Sequence, residues 1–282
     1  MKALKTAALA MAIAFGANSA HALEVVTPNL EGDDFTFSVL QLALSKSAPD
    51  ATFKELTKDR LNEKQLMSRV QSGDLSVMWS GASKDKDESM QAVRIPVMKG
   101  LLGHRIFLIK DGDQGKFESV KTVDDLKALK AGSGTFWGDT AILESAGLPV
   151  IKTVEYANLF PMLNGARFDY FPRAVNEPWG EVNAHPGMNF AVEKNVMLVY
   201  PSALHFYVKK DNKELHDLIY EGFETAIKDG SFDELFFNNP YIKDVIEKTD
   251  FKNRTVIRID NPNMHPDTPI DRKEFWLDVE NL

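Results

Sequence analysis

The segment NVMLVYPSALHFYVKK, residues 195–210, contains two short apolar runs that meet at a proline. Met197–Tyr200 and His205–Lys209 each have the length and the aliphatic and aromatic content of a buried strand. Pro201 has no N–H to donate to a sheet ladder, so it interrupts the segment between them. We therefore predict two short strands here.

The rest of the chain alternates strand-like and helix-like segments. The expected strands are 23–27, 51–56, 74–82, 105–110, 150–154 and 168–171. The expected helices are 35–47, 62–73 with Asn62 as N-cap, 122–132 ending at Gly132, 139–146, 158–165 and 212–230. This alternation favours an α/β fold with parallel sheets and helices on both sheet faces.

The N-terminus has the pattern of a cleavable export signal. Lys2 and Lys5 precede the uncharged run Ala7–Phe15, and Ala20-His21-Ala22 fits the A-x-A cleavage rule. The sequence therefore predicts a signal peptide over residues 1–22 and a periplasmic location of the Gram-negative type. The alternative is a short membrane anchor, but the apolar run is shorter than a bilayer-spanning helix requires.

Charge and composition exclude several classes of function. The 33 Lys and Arg against 41 Asp and Glu give a formal charge of −8, and removal of Lys2 and Lys5 makes it −10. Without a dense basic block, this charge argues against nucleic-acid and anionic-membrane partners. The absence of cysteine excludes disulfides, thiol chemistry and Cys-type metal sites. The six histidines lack metal-ligand spacing, and no catalytic-serine or nucleotide fingerprint is present, so no metal, cofactor or catalytic residue is predicted.

Several landmarks occur in a fixed order along the chain. They are MSRVQSGDLSVMWSGASKDKDES (67–89), GHRIFLIKDG (103–112), GSGTFWGDTAIL (132–143), YANLFPMLNGARFDYFP (156–172) and LVYPSALHFYVKKDNKELHDLIYEGFETAIKDGSFDEL (198–235). The ordered set resembles the periplasmic solute-binding proteins of the type II fold. The resemblance is to the amino-acid-binding family 3 of ABC transporter substrate-binding proteins, and it covers nearly all of the chain after the signal peptide.

The resemblance implies two α/β lobes with a ligand cleft between them. Lobe 1 would comprise residues 23–110 and 205–282, and lobe 2 residues 111–204. The chain would cross between the lobes near Ile109–Gly112 and near Tyr200–His205. The implied protein is a monomer that binds a small molecule and hands it to an inner-membrane ABC permease or presents it to a receptor ectodomain.

In the first lobe the resemblance places ligand contacts at the end of strand 74–82 and in the turn that follows. Trp79 and Ser80 lie at this strand end, but Asp87 or Glu88 stands where the family has an arginine for the ligand carboxylate. Arg94 and Arg105 are the candidates to supply the missing charge, since a guanidinium binds carboxylates bidentately. The alternatives are a core role for Trp79, pairing of both arginines with lobe carboxylates, and a solvated charge run over Lys84–Glu88.

In the second lobe two segments carry candidate ligand contacts. Trp137, Asp139 and Thr140 lie at the expected start of a helix, where free N–H groups attract anions, and Asp139 or Thr140 is the expected cap. Arg173 and Glu177 follow strand 168–171, and Arg173 stands in or beside the place where the family has an aspartate for the ligand's amino group. We therefore expect Arg173 to contact an anion, and Arg173→Ala to weaken binding with little loss of stability. The alternatives are an ordinary capped helix and a surface arginine with a packed stem.

These residues together predict a non-enzymatic protein that captures a small carboxylated or anionic solute for transport. One alternative is a periplasmic sensor whose liganded form docks on a membrane receptor. A second alternative is a cleft enzyme of elimination or dehydration, with Glu177 as general acid or base beside Trp179.

Overall fold

The computed structural model describes residues 22–32, 34–59, 61–279 and 282. The predicted signal peptide lies outside the described residues apart from Ala22. The strands are β1 (Glu24–Thr27), β2 (Thr52–Glu55), β3 (Val77–Gly81), β4 (Met90–Val93), β5 (His104–Lys110), β6 (Ala131–Gly134), β7 (Val150–Thr153), β8 (Tyr170–Ala174), β9 (Phe190–Val192), β10 (Val196–Val199), β11 (Leu204–Lys209) and β12 (Thr255–Arg258). The helices are α1 (Asp34–Ser47), α2 (Glu63–Ser72), α3 (Lys84–Ser89), α4 (Val123–Leu126), α5 (Gly138–Ser145), α6 (Tyr156–Asn164), α7 (Pro178–Ala184), α8 (Lys213–Lys228), α9 (Ser231–Asn238) and α10 (Pro240–Thr249).

The strands pair into sheets that the chain visits more than once. β1 and β2 form a parallel pair, and β3, β11 and β4 form an antiparallel sheet in that order. The large sheet has the order β12-β10-β5-β8-β6-β7, and β9 pairs with β5 beside this path. The expectation of parallel sheets is only partly correct, because β5 runs antiparallel to β8, β9 and β10. The sheet is mixed because the chain enters β5 from the opposite end of the sheet to β8, β9 and β10.

Residues 195–210 form two strands in two different sheets, which confirms the predicted interruption at Pro201. β10 belongs to the large sheet and β11 to the three-stranded sheet. Residues 200–203 connect the two sheets, next to a second connection at 94–103 between β4 and β5. The two connections touch, because Tyr200 N–H donates to the carbonyl of Gly103 at 3.0 Å.

The expected lobe boundaries need correction on both sides of the large sheet. β5 and β12 fall within the residues expected for lobe 1, yet both pair with strands of the large sheet. The first connection is therefore at 94–103 and not at Ile109–Gly112. Six of the seven residues of β5 are buried, because the strand lies in the middle of the sheet with covered faces on both sides.

Local signals fix some element ends well and others poorly. Asn62 and Gln65 form the capping box that begins α2, and Gly73 in the left-handed conformation ends it, as predicted. The expected helix 122–132 is wrong beyond its first turn, because Gly132 lies within β6 and packs against the Phe168 ring. β8 extends through Arg173 to Ala174, so the arginine lies within the strand and not beyond it.

The buried apolar side chains form clusters on both sides of each larger sheet. Phe206 and Val208 of β11 face α1 and α8, which pack against each other. Tyr207, on the opposite face of β11, packs near α2. The large sheet is covered on one face around Phe107 and on the other around Phe171. Each strand end at the boundary between the sheets is therefore held by a packed core.

Candidate functional site

A cleft of about 920 Å³ opens between the large sheet and the three-stranded sheet. Strand β5, the segment after β6 and the turn after β8 line one side of it. Residues of α1, β3 and the α9–α10 junction line the other. Its volume lies in the range of small-molecule sites.

Two buried arginines lie at the end of the large sheet that faces this cleft. Arg105 lies near the start of β5, and Arg173 lies near the end of the antiparallel strand β8. Arg105 is opposite Ala174 and Arg173 is opposite Ile106, so the two arginines leave opposite faces of the sheet. Each is only 7% exposed, and both line the cleft.

Glu177, in the turn after β8, joins the two guanidinium groups. Its Oε1 lies 2.8 Å from Arg173 Nη2, and its Oε2 lies 3.8 Å from Arg105 Nη1. The same Oε2 accepts a hydrogen bond from the backbone N–H of Ala174 at 2.7 Å. The turn therefore fixes the carboxylate between the arginines.

Arg105 has a second carboxylate partner in Asp139 of α5. Asp139 Oδ1 lies 2.7 Å from Arg105 Nη2 and also accepts a hydrogen bond from the Tyr200 hydroxyl. Burial lowers the pKa of Arg105, but Asp139, Tyr200 and Glu177 outweigh burial and hold that pKa above its usual value. Arg105 is therefore a permanent cation in the cleft, and its buried Nε has no hydrogen-bond partner among the described residues.

Arg173 is held from behind by a buried acid. Its Nε donates to Glu181 Oε1 of α7 at 2.7 Å, and the same oxygen accepts a hydrogen bond from the Tyr156 hydroxyl at 2.6 Å. Burial raises the pKa of Glu181, although Arg173 and the Tyr156 hydrogen bond oppose this change. Burial also raises the pKa of Tyr156. These contacts fix the direction in which the Arg173 guanidinium points.

Aromatic rings surround the charged groups. The Arg173 guanidinium lies over the rings of Phe171, Trp137 and Tyr156, at 4.6, 5.5 and 5.6 Å from their centroids. Trp137 packs on Gly134 so closely that a Cβ there would lie 2.5 Å from the indole. Phe35, Trp79 and Tyr241 line the same cleft from the other side.

Six of the nine predicted ligand-binding residues line the cleft, namely Trp79, Arg105, Trp137, Asp139, Arg173 and Glu177. Their role as ligand contacts stays a prediction. The two alternatives of ion pairing within the lobe and of a packed arginine stem also describe Arg105 and Arg173, because both are ion-paired and buried.

The other three predicted residues have structural partners outside the cleft lining. Ser80 donates to Glu63. Thr140, in the first turn of α5, donates to the carbonyl oxygen of Gly134 at the end of β6, at 2.6 Å. Arg94 pairs with Asp87 at 3.2 Å beside a separate, smaller pocket.

The two segments that raised these predictions also differ from expectation in detail. The expected cap at Asp139 or Thr140 is wrong, because Trp137 occupies the N-cap position of α5. The run Lys84–Glu88 is not wholly solvated, since Lys86 is buried against Glu63 at 2.7 Å.

Sequence reasoning missed the residues that support or complete the cleft from other elements. These residues are Asp34, Phe35, Tyr156, Glu181, Asn239 and Tyr241. The i, i+4 spacing between the predicted Glu177 and Glu181 is the local signal that could have indicated Glu181, although Glu177 precedes α7. Across the described ranges, no cluster of three or more His, Cys, Asp or Glu has metal-binding geometry. In the same residues, no helix has the length and apolar content needed to cross a bilayer.

Comparisons with known proteins found similarity to solved structures but none to a family model or to a curated sequence. A probable amino-acid ABC transporter extracellular-binding protein from Bacillus subtilis is 15% identical, with 76% of this chain and 95% of that chain covered and a TM-score of 0.54. A periplasmic binding protein from Salmonella typhimurium with high arginine specificity is 15% identical, with 76% and 96% covered and a TM-score of 0.49.

A third structure is an amino acid ABC transporter substrate-binding protein from Streptococcus pneumoniae bound to L-arginine. It is 14% identical, with 80% of this chain and 94% of that chain covered and a TM-score of 0.48. At such identities a structural likeness establishes the fold alone. The fold assignment rests on the Bacillus subtilis protein, whose TM-score is 0.54. The mixed α/β chain described above has the type II periplasmic-binding-protein fold.

Proposed function

We propose that this protein is a non-enzymatic solute-binding protein of the periplasm, which captures a small carboxylated solute and delivers it to an inner-membrane ABC permease. The fold supports solute capture, because such folds bind ligands between their two α/β halves. Substrate-binding proteins of amino-acid ABC transporters are among the solved structures with a similar fold.

The observation that carries the ligand class is the pair of buried arginines in the cleft. A guanidinium offers five N–H donors in a planar fork that matches a carboxylate. Arg105 Nε is buried without a partner among the described residues, and Arg105 Nη1 reaches Glu177 only at 3.8 Å. A ligand carboxylate at this point gains charge-assisted hydrogen bonds that the protein itself does not complete.

The carboxylates of Asp139 and Glu177 in the cleft do not favour a cationic ligand over a carboxylate ligand. Asp139 and Glu177 already lie within 2.8 Å of guanidinium nitrogens. A ligand cation would compete with Arg105 and Arg173 for these oxygens and would lie beside two buried positive charges. The two acids therefore serve as counter-ions that offset the desolvation cost of burying Arg105 and Arg173.

Calorimetric titration of the mature protein tests the proposal with small carboxylates and their matched primary amides. We expect carboxylates to bind, amides to fail, and Arg105→Gln to lose at least tenfold in affinity. Arg272→Gln is the matched control, because Arg272 pairs with Glu224 outside the cleft. Equal binding of acids and amides, or full affinity in Arg105→Gln, would overturn the proposed ligand class.

A further inference from the structure

The cleft pairs its cations with an unusual number of aromatic rings. Trp79 on β3 and Trp137 after β6 line the same cavity from two different sheets. Tyr156 and Tyr241 line it as well, each 42% exposed. Large exposed aromatic surface within a concave site is typical of a surface that a ligand covers.

We infer that the captured solute is a carboxylate with a planar aromatic ring, whose acid group lies at Arg105 and Arg173 and whose ring lies against the tryptophans. This inference rests on the proposed function, since the arginines supply the contact for the acid group. It adds that the remainder of the ligand is a flat π-system and not an aliphatic or cationic chain.

The Arg173 charge disfavours a cationic ligand chain at the Trp137 and Tyr156 rings. The faces of Phe171, Trp137 and Tyr156 lie 4.6–5.6 Å from the Arg173 guanidinium. The cation–π interaction of these rings is therefore already used within the protein. A second cation from a ligand would meet Arg173 at close range, whereas a neutral ring would not.

Trp137 is fixed before any ligand binds. Its indole lies on the backbone of Gly134, packs at 22° and 6.0 Å to the Phe171 ring, and lies 6.0 Å from the Tyr156 ring. Trp79 is braced by an edge contact with Phe206 at 6.3 Å. Rings held in this way stack on a ligand without losing much side-chain entropy, which favours a flat partner.

The experiment compares phenylacetate, cyclohexylacetate, phenylacetamide and L-arginine by calorimetry on the mature protein. Aromatic stacking beyond area burial predicts that phenylacetate binds about 2- to 12-fold more tightly than cyclohexylacetate. The comparison is conservative, because the cyclohexyl ring has the larger apolar surface. Phenylacetamide and L-arginine are expected to bind at least tenfold more weakly than phenylacetate.

Tryptophan variants test whether the preference for phenylacetate over cyclohexylacetate comes from the Trp79 and Trp137 rings. Trp79→Leu and Trp137→Leu are expected to bring phenylacetate to the affinity of cyclohexylacetate, which still binds. Trp276→Leu is the control, because its indole donates to Pro269 outside the cleft. Thermal unfolding verifies that each variant is folded.

Different binding results would overturn the aromatic inference and the carboxylate proposal. If cyclohexylacetate binds as tightly as phenylacetate in the wild-type protein, the aromatic inference is wrong and the carboxylate proposal stands. If phenylacetamide binds as tightly as phenylacetate, both the aromatic inference and the carboxylate proposal are wrong. If L-arginine, which also carries a carboxylate, binds best, the aromatic inference and the argument against a cationic ligand are wrong, and the carboxylate proposal stands. A phenylacetate preference that survives in both tryptophan variants also overturns the inference.

Discussion

Arg173 is the residue in which binding and stability are most closely linked. It is paired with the buried Glu181 and with Glu177, and it lies over three aromatic rings. An arginine in this position cannot be removed without leaving Glu181 as an uncompensated buried acid. The expectation from sequence, that Arg173→Ala costs little stability, therefore conflicts with the contacts of the residue.

We predict that Arg173→Ala lowers the free energy of unfolding by about 3 kcal/mol or more, because breaking a buried ion pair leaves one charge unpaired. Urea unfolding at pH 7 measures this change. The double variant Arg173→Ala/Glu181→Gln should recover part of the loss, since the unpaired charge is removed. A loss below about 0.5 kcal/mol, the range of ordinary surface substitutions, would show that the pair is not important for stability.

His205 on β11 predicts the acid sensitivity of the fold. Burial, with Arg94 and His265 nearby, lowers the pKa of His205 to about 3 from an ordinary value of 6.5. Between these values the unfolded chain binds a proton that the folded chain does not. Stability is therefore complete above about pH 6.5 and falls as the pH decreases toward 3.

His205→Leu should remove this contribution, because both ring nitrogens of His205 are buried without a hydrogen-bond partner among the described residues. Between pH 7 and pH 5 the variant should gain about 2 kcal/mol relative to the wild type. Denaturant unfolding at both pH values tests this. His104, whose pKa burial lowers to about 4, remains in both proteins, and parallel pH profiles would contradict the assignment to His205.

At the scale of elements, the two connections between the sheets meet at Gly103. A Cβ on Gly103 would lie 1.9 Å from the carbonyl oxygen of Tyr200, which belongs to the other connection. Neither backbone can move away, because Tyr200 N–H donates to Gly103. The close approach requires glycine here.

Gly103→Ala should therefore destabilise the protein by about 1–3 kcal/mol, as overpacking does, and shift the geometry of the cleft. Gly180→Ala is the matched control, because a Cβ on Gly180 meets no atom within 4 Å and the residue lies in α7. The control should be neutral or slightly stabilising, by about 0.5–1 kcal/mol, because alanine is the better helix former. Thermal melts of both variants that differ by less than the measurement error would contradict the proposed contact.

Elements with strong local signals are predictable from this sequence, and their partners are not. Asn62, Gln65 and Gly73 determine α2 through contacts within a few residues, so the helix is predicted to its ends. The membership of β5 in the large sheet depends on pairing with β8 and β10, which are more than 60 residues away. Local periodicity carries no information on such pairing, and the predicted lobe boundary at residue 110 is wrong for this reason.

In the candidate site, too, the residues could be predicted from the sequence and the contacts between them could not. The family resemblance, together with positions beside strands or at a helix start, indicated Arg105, Trp137, Arg173 and Glu177 as ligand contacts, and all four line the cleft. These signals did not indicate that Glu177 bridges the arginines, since this contact depends on the turn geometry after β8. Chemistry was thus predictable from the residues, and connectivity required the fold.

On the scale of the whole molecule, ligand capture should close the cleft. Phe136 is 82% exposed next to the cleft-lining Trp137, and Phe237 is 38% exposed near the cleft-lining Asn239. The natural chain has no cysteine, so Phe136→Cys/Phe237→Cys places two spin labels at known sites. We predict that phenylacetate shortens the label distance measured by double electron–electron resonance, because a ligand that contacts both sides favours the closed state.

An unchanged distance distribution at saturating phenylacetate would contradict closure. Labels at Lys46 and Lys228, on the helices α1 and α8 that pack against each other, provide the control. Their distance should not change with ligand, because both helices belong to one packed core.

We propose that Arg105 and Arg173 together hold the carboxylate of the ligand in the cleft. Native mass spectrometry of the protein, purified gently without added ligand, measures this contact. We predict a bound small molecule that carries a carboxyl group, present on the wild-type protein and absent from Arg105→Gln. A bound compound without an acid group, or one retained unchanged by Arg105→Gln, would contradict it.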